Sequence, residues 1–297
     1  VTYLGIPYAK AKRFMPPEKI NHWNETFEAN RYGNISPQEN VWGGNEFLFN
    51  REGKQSEDCL NLNIWTPNIH DHKKRPVMVW LHGGGFQSGS SMEQEVYDGT
   101  NLSKEGDVVV VSINHRLNIL GFLDLEEYGE KYKYSGNVGM MDIEYALRWI
   151  QTNIEKFGGD KHNVTLFGQS GGGAKILTLM AMPSAKGLFH KVIIESGAVE
   201  TSGMTLTSKE TSKRVGQLVV EKLGIQKIDE INAVPYNQLI KIGNETLEHV
   251  AKEQKIPSVF GDGTYSLIWN PNVDGKYIID DPIGNKARDL SSDIPML

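Results

Sequence analysis

Along the chain, short apolar runs alternate with amphipathic stretches, the pattern of a sheet with helices packed on its faces. Residues 60–65, 76–81 and 107–113 read as three strands, the last apolar on both faces like a strand inside a parallel sheet. Over residues 142–157 the apolar positions Ile143, Ala146, Leu147, Ile150 and Ile154 recur at three- and four-residue steps before Gly158-Gly159, which predicts a helix with one buried face. A strand at 164–167, a helix at 174–181 packed through Ile176, Leu177 and Met180, and a strand at 191–195 follow. Strand, helix, strand, helix, strand in that order requires parallel pairing with right-handed crossovers, so the fold class is α/β.

Past Gly203 the pattern becomes helical. Thr207 and Glu210 have the spacing of a capping box, and Gly224 closes a helix carrying Val215, Leu218, Val219 and Leu223. A second helix runs from Pro235 through Leu239, Ile242 and Leu247 to about Gln254. Residues 204–256 are thus expected as a helical insertion that caps a site, within one domain spanning residues 1–297.

Composition narrows the function classes. With 39% hydrophobic and 23% charged residues, the 297-residue chain has the make-up of an ordinary globular protein. A net charge of −6 supplies no basic field for a phosphate backbone, so nucleic acid is not the expected partner. Apolar runs such as 108–111 and 192–194 fall far short of the roughly 20 residues that cross a bilayer, and no membrane span is expected. Cys59 is the only cysteine, which excludes an internal disulfide and points to a reducing, cytoplasmic compartment, and the opening Val1-Thr2-Tyr3-Leu4 has no signal-peptide character. Glycosylation-type sequons begin at Asn24, Asn34, Asn101, Asn163 and Asn244; in so asparagine-rich a chain they read as chance.

The candidate chemistry lies in Gly168-Gln169-Ser170-Gly171-Gly172, between the strand at 164–167 and the helix from Ala174. A serine at such a corner is held on strained backbone, and the residues two before and two after must be small because strand and helix cross there. Its hydroxyl is pushed out above the sheet edge, while the first amides of the helix, that of Gly171 foremost, face developing negative charge. A glycine-rich turn that merely joins a strand to a helix would have the same letters, so a second feature is needed. His82-Gly83-Gly84-Gly85-Phe86 ends an earlier strand, where a glycine loop can turn its amides into the same cavity. Ser170 as nucleophile, with the Gly171 amide and amides of the glycine loop after His82 as oxyanion donors, is the expectation. His82 is expected to hold its loop by hydrogen bonds, His115 to be a packing or hydrogen-bonding residue, and His162, His190 and His249 to be surface or loop residues. No His/Cys/Asp/Glu spacing suggests a metal.

These residues resemble the type-B carboxylesterase and cholinesterase family. Gly5-Ile6-Pro7-Tyr8-Ala9 is similar to an early family segment. Phe157-Gly158-Gly159, four residues, and then the run from Val164 to Gly172 fit the serine signature, and Glu57-Asp58-Cys59-Leu60-Asn61-Leu62-Asn63-Ile64-Trp65-Thr66-Pro67 fits a second signature except at Asn61, where Tyr or Thr is usual. Asn114-His115-Arg116-Leu117 and Gly121-Phe122-Leu123 match a third stretch. The resemblance implies an α/β-hydrolase fold, a mostly parallel twisted sheet flanked by helices, an acyl-enzyme on Ser170, an oxyanion hole lined by the amides of Gly84, Gly85 and Gly171, small-molecule ester substrates and no cofactor. Gln169 stands where many members carry Glu, which removes a negative charge beside the nucleophile, and the unpaired Cys59 favours a bacterial-type member. Family members run to about five hundred residues, with the triad acid and histidine after the serine. Both are therefore expected beyond Leu297, which makes residues 1–297 alone inactive, and Asp293-Ile294-Pro295-Met296-Leu297 resembles the strand just before the acid. The same fold also serves neuroligin-like adhesion modules, which generally lack the nucleophile, and amide or lactone hydrolysis would use the same parts.

Overall fold

A computed structural model describes residues 1–20, 26–39, 53–197, 206–258 and 261–297. The expected strands form, and a further one precedes them. β1 (Thr2–Pro7), β2 (Asn61–Trp65), β3 (Arg75–Leu81), β4 (Val109–Ile113), β5 (Gly159–Gln169) and β6 (Lys191–Glu195) make one sheet in the order β1-β2-β4-β3-β5-β6. β1 escapes a periodicity search because a register shift between Tyr3 and Ile6, where Gly5 takes φ +69°, interrupts its alternation.

β4, β3, β5 and β6 pair in parallel, while β2 runs antiparallel to both β1 and β4. Three consecutive apolar runs are thus not neighbours in sequence order, since β4 is inserted between β2 and β3. The buried polar residues of β2 are all engaged. Asn63 donates to the hydroxyls of Ser91 and Ser112 at 3.0 Å each. Asn61, the departure from the family signature, donates to the carbonyl of Asn34 at 2.7 Å and accepts from Asn114 at 3.2 Å.

Helices α1 (Thr100–Gly106), α2 (Asn118–Phe122), α3 (Val138–Asn153) and α4 (Gly171–Met180) pack around the sheet. α3 begins four residues before its expected start and passes at Ile154–Phe157 into a 3-10 turn that Gly158 ends with φ +80°. α4 begins three residues early, absorbing three glycines that helix propensity argues against; close packing, described below, is the reason. Apolar side chains from the strands and these helices form one core, with Ile64, Val79, Val111, Ile143, Leu147, Leu166 and Ile176 fully buried.

The helical segment contains α5 (Lys209–Leu223) and α6 (Tyr236–Glu253), close to the expected bounds. Its capping residue is corrected from Thr207 to Ser208, whose hydroxyl accepts the Thr211 amide at 3.1 Å. Thr207 is instead part of the short strand β7 (Thr207–Ser208), paired in parallel with β8 (Asn272–Val273), and its amide is spent on Pro271. α5 and α6 pack on one another, and Gly243 of α6 fits against Ile119 of α2 and Trp269. Gly203, where the change of pattern was placed, and residues 204–205 of the expected insertion lie outside the described residues. After α7 (Asn285–Ser291) the chain reaches the sheet edge, where Val192 of β6 bonds Pro295 and Leu297 in a parallel bridge. Among the described residues no helix is long and apolar enough to cross a membrane.

Candidate active site

Leu81 and Gly168 are register partners in the parallel pair β3 and β5, so both strands leave the sheet side by side at one edge. Beyond β5 the chain must turn at once into α4. It turns on Ser170, whose φ of 55° and ψ of −122° non-glycine residues rarely adopt. Such a conformation costs on the order of 1–3 kcal/mol and persists only where its surroundings fix it. The Ser170 amide donates to the Glu195 carbonyl at 2.8 Å, and its carbonyl accepts the Ala174 amide at 3.1 Å. The residue is half-buried rather than sunk among packed side chains.

Its neighbouring glycines are a steric requirement. A Cβ on Gly172 would stand 2.0 Å from the Leu81 carbonyl oxygen, and one on Gly168 would stand 2.7 Å from the Gly172 carbonyl carbon. A Cβ on Gly171 would meet the Gly85 nitrogen at 2.3 Å, because the loop after β3 runs directly against the first turn of α4. That loop turns through φ +81° at Gly84 and +61° at Gly85. Ser170, Gly84, Gly85 and Gly171 are therefore brought together. The amides of Gly84, Gly85 and Gly171 donate to no acceptor among the described residues, and Gly84 and Gly85 are partly exposed. A group carrying negative charge above Ser170 would find these unspent donors close by.

A cleft of about 170 Å³ opens at Ser170, lined also by Gly83, Gly84, Glu93, Gln94, Tyr97 and Gln169. Burial pushes the Glu93 carboxyl up to about 7, against the nearby Lys175 ammonium and its bonds to Ser90 and Tyr97. Behind Tyr97, Trp80 packs at 4.9 Å between ring centres and carries the contact on to Phe167 at 5.0 Å. No histidine lines this cleft among the described residues. His82 and His115 are buried and stacked, 5.2 Å between centroids. The Nδ1 of His82 donates to the Gly83 carbonyl at 2.9 Å and that of His115 to the Arg116 carbonyl at 2.9 Å, so each steadies a loop. Burial, reinforced by the Lys175 charge, drives both imidazoles well below their usual range and keeps them neutral. Burial likewise pushes the Cys59 thiol up to about 12, which leaves it unreactive.

Glu93, Tyr97 and Lys175 were not singled out from the sequence. Lys175 is fully buried, and its ammonium donates to the carbonyls of His82 at 2.8 Å and Gly83 at 3.4 Å. Burial lowers it to about 7, opposed by the Glu93 carboxylate. A signal did exist, since Lys175 is the one charge in the ten residues of α4, all of them buried. Glu93 lies on irregular chain and Tyr97 ends the short 3-10 turn Glu95–Tyr97, so no periodic pattern marks either.

The carboxylesterase family model matches residues 1–297. The para-nitrobenzyl esterase of Bacillus subtilis (strain 168) is 38% identical over 299 residues, covering 99% of this chain and 57% of that protein. The acetylcholinesterase of Danio rerio is 38% identical over 233 residues, covering 73% of this chain and 35% of the relative. Among solved structures, an esterase from Clostridium hathewayi described as hydrolysing aliphatic aromatic polyesters superposes with a TM-score of 0.85 at 39% identity, covering 99% of this chain and 57% of that one. The chain spans a little over half the length of the bacterial relatives it matches.

Proposed function

The chain belongs to the carboxylesterase family, with the α/β-hydrolase fold of its structural relatives, and from that premise we propose that the protein hydrolyses carboxylic esters through an acyl-enzyme on Ser170. One observation carries this reading. The strained Ser170 corner and the Gly84-Gly85 loop meet at Gly171, with three amides left to donate.

The Ser170 hydroxyl attacks the ester carbonyl and gives its proton to a general base. Negative charge then develops on the carbonyl oxygen, where the amides of Gly84, Gly85 and Gly171 receive it. One such donor is worth roughly 3 kcal/mol in the transition state, so a converging set accounts for a large share of the catalysis. Collapse of the tetrahedral intermediate expels the alcohol as the base returns the proton to the leaving oxygen, and water, deprotonated in turn by the same base, attacks the acyl-enzyme and releases the acid. The base is the histidine that the family's chain order places after the serine; His82 and His115, buried with Nδ1 committed, are unsuited to the role. In this reading the helical pair α5 and α6 is an insertion within a single catalytic domain. Small-molecule esters are the substrates.

Labelling with a fluorophosphonate tests the assignment. The complete protein is expected to take up one label at Ser170, lost in Ser170→Ala, and to turn over p-nitrophenyl acetate. A label that survives Ser170→Ala would overturn the role of Ser170. A protein neither labelled nor active on short p-nitrophenyl esters would be a binding module of the same fold.

A further inference from the structure

We propose that Lys175 is a positioning residue for the oxyanion hole: its buried ammonium clamps the carbonyls of His82 and Gly83 and so aims the loop amides that face the reacting carbonyl, an inference that rests on the ester-hydrolase reading above. Peptide units are planar, and in the trans form the N–H points opposite to the C=O of the same unit. No peptide bond among the described residues is cis. Holding the Gly83 carbonyl on the α4 side therefore turns the Gly84 amide the other way, and holding the His82 carbonyl does the same for the Gly83 amide. Lys175 reaches both units, at 2.8 Å and 3.4 Å.

The loop needs such a clamp. Gly83, Gly84 and Gly85 bring no side chains to anchor them, and glycine backbone has more conformations to lose than any other. The Gly83 carbonyl also accepts from His82 Nδ1 at 2.9 Å, so it has two donors, and that polarises its peptide unit and strengthens the Gly84 amide as a donor. Lys175 is absent from the walls of the cleft at Ser170, so it acts through the loop and not on substrate.

Packing alone would not select a lysine here. Among the described residues no carboxylate lies within ion-pair distance of its ammonium, and a cation buried among carbonyls is costly to desolvate where a methionine would fill the same space. The groups that sense its charge are Glu93, which lines the cleft, and His82 and His115, which are kept neutral. Glu93 thereby returns a carboxyl group to the neighbourhood of the nucleophile, where Gln169 brings none.

The experiment compares the complete protein with Lys175→Met and Lys175→Gln, using fluorophosphonate labelling, steady-state hydrolysis of p-nitrophenyl acetate and thermal melting. Losing a single oxyanion donor lowers kcat about 10²–10³-fold, so a misaimed one should lower it about 10- to 100-fold. Lys175→Met is expected to show that fall in kcat, with KM within about threefold and labelling slowed in parallel. Lys175→Gln, which keeps a donor, should recover part of the loss. If Lys175→Met does not fold, the same split between kcat and KM in Lys175→Gln decides. A folded variant with unchanged kcat overturns the proposal, as does loss of the fold in both variants, which would make the lysine purely structural. Failure of the wild-type protein to label at Ser170 would instead sink the ester-hydrolase reading, and this inference with it.

Discussion

Arg116 and Lys175 are both buried cations, and the protein treats them in opposite ways. Arg116 is answered in full. Its Nε and one terminal nitrogen reach Asp142 at 2.7 Å and 2.6 Å, and its other terminal nitrogen donates to the carbonyls of Lys12 and Met15 at 3.1 Å and 2.8 Å. It ties the segment after β1 to α3 and to the chain leaving β4. Lys175 has one short bond and one long one, both to neutral carbonyls, and its charge is eroded by burial. Full pairing suits a group whose task is to hold structure, whereas an underpaired charge behind the proposed nucleophile is a cost that chemistry must justify.

Breaking the stronger partnership should have the largest effect on stability. Arg116→Met leaves the Asp142 carboxylate buried and unpaired, and should cost about 3–5 kcal/mol, read from denaturant midpoints. The fraction that stays folded should still label at Ser170. A loss under about 1 kcal/mol would place the two cations in one class and dissolve the contrast. A smaller effect is expected at the Ser170 corner. Gly172→Ala puts a Cβ 2.0 Å from the Leu81 carbonyl oxygen, and such overpacking costs typically 1–3 kcal/mol. Labelling of Ser170 should slow as well, because the serine turn shifts with α4. Normal labelling in a destabilised Gly172→Ala would mean that the corner relaxes freely and gains little from a clamp.

The same contrast explains how much the sequence disclosed. Strands β2 to β6 were legible as short apolar runs, and helices α3 to α6 through apolar positions at three- and four-residue steps, because burial selects apolar side chains in each. The Ser170 corner was legible because close backbone approach admits only glycine at 168, 171 and 172, which leaves a mark in the letters. β1 was hidden by its bulge, and the Thr207 reading failed because a bridge to Pro271 claimed that residue's amide. Arg116 belongs to a recognisable family segment, but its partner Asp142 is 26 residues away and nothing local joins them. Lys175 and Glu93 meet only through the folding of separate segments, so their coupling has no counterpart in any local pattern.

The smallest effect separates the two cations most directly, because only one of them titrates near neutrality. Lys175 sits at about 7 in the folded protein against an ordinary value of 10.5. Between those values the unfolded chain holds more protons than the folded one, so stability rises with pH across that window. The guanidinium of Arg116 stays charged throughout it. Glu93, raised to about 7 from 4.5, works in the opposite sense at lower pH: there the folded state holds the extra proton, and stability falls as pH rises through 4.5 to 7. Taking the difference between wild type and Lys175→Met from pH 8 to 9 isolates the lysine, since Glu93 is by then largely ionised in the wild type. The wild type should gain about 1 kcal/mol on the variant over that interval, measured from denaturation curves at each pH. Parallel curves would mean that Lys175 keeps its charge well above neutrality, and with it an undiminished grip on the two carbonyls. A neutral amine still donates N–H bonds, so the expected change is a weaker clamp above pH 7 and not a released loop.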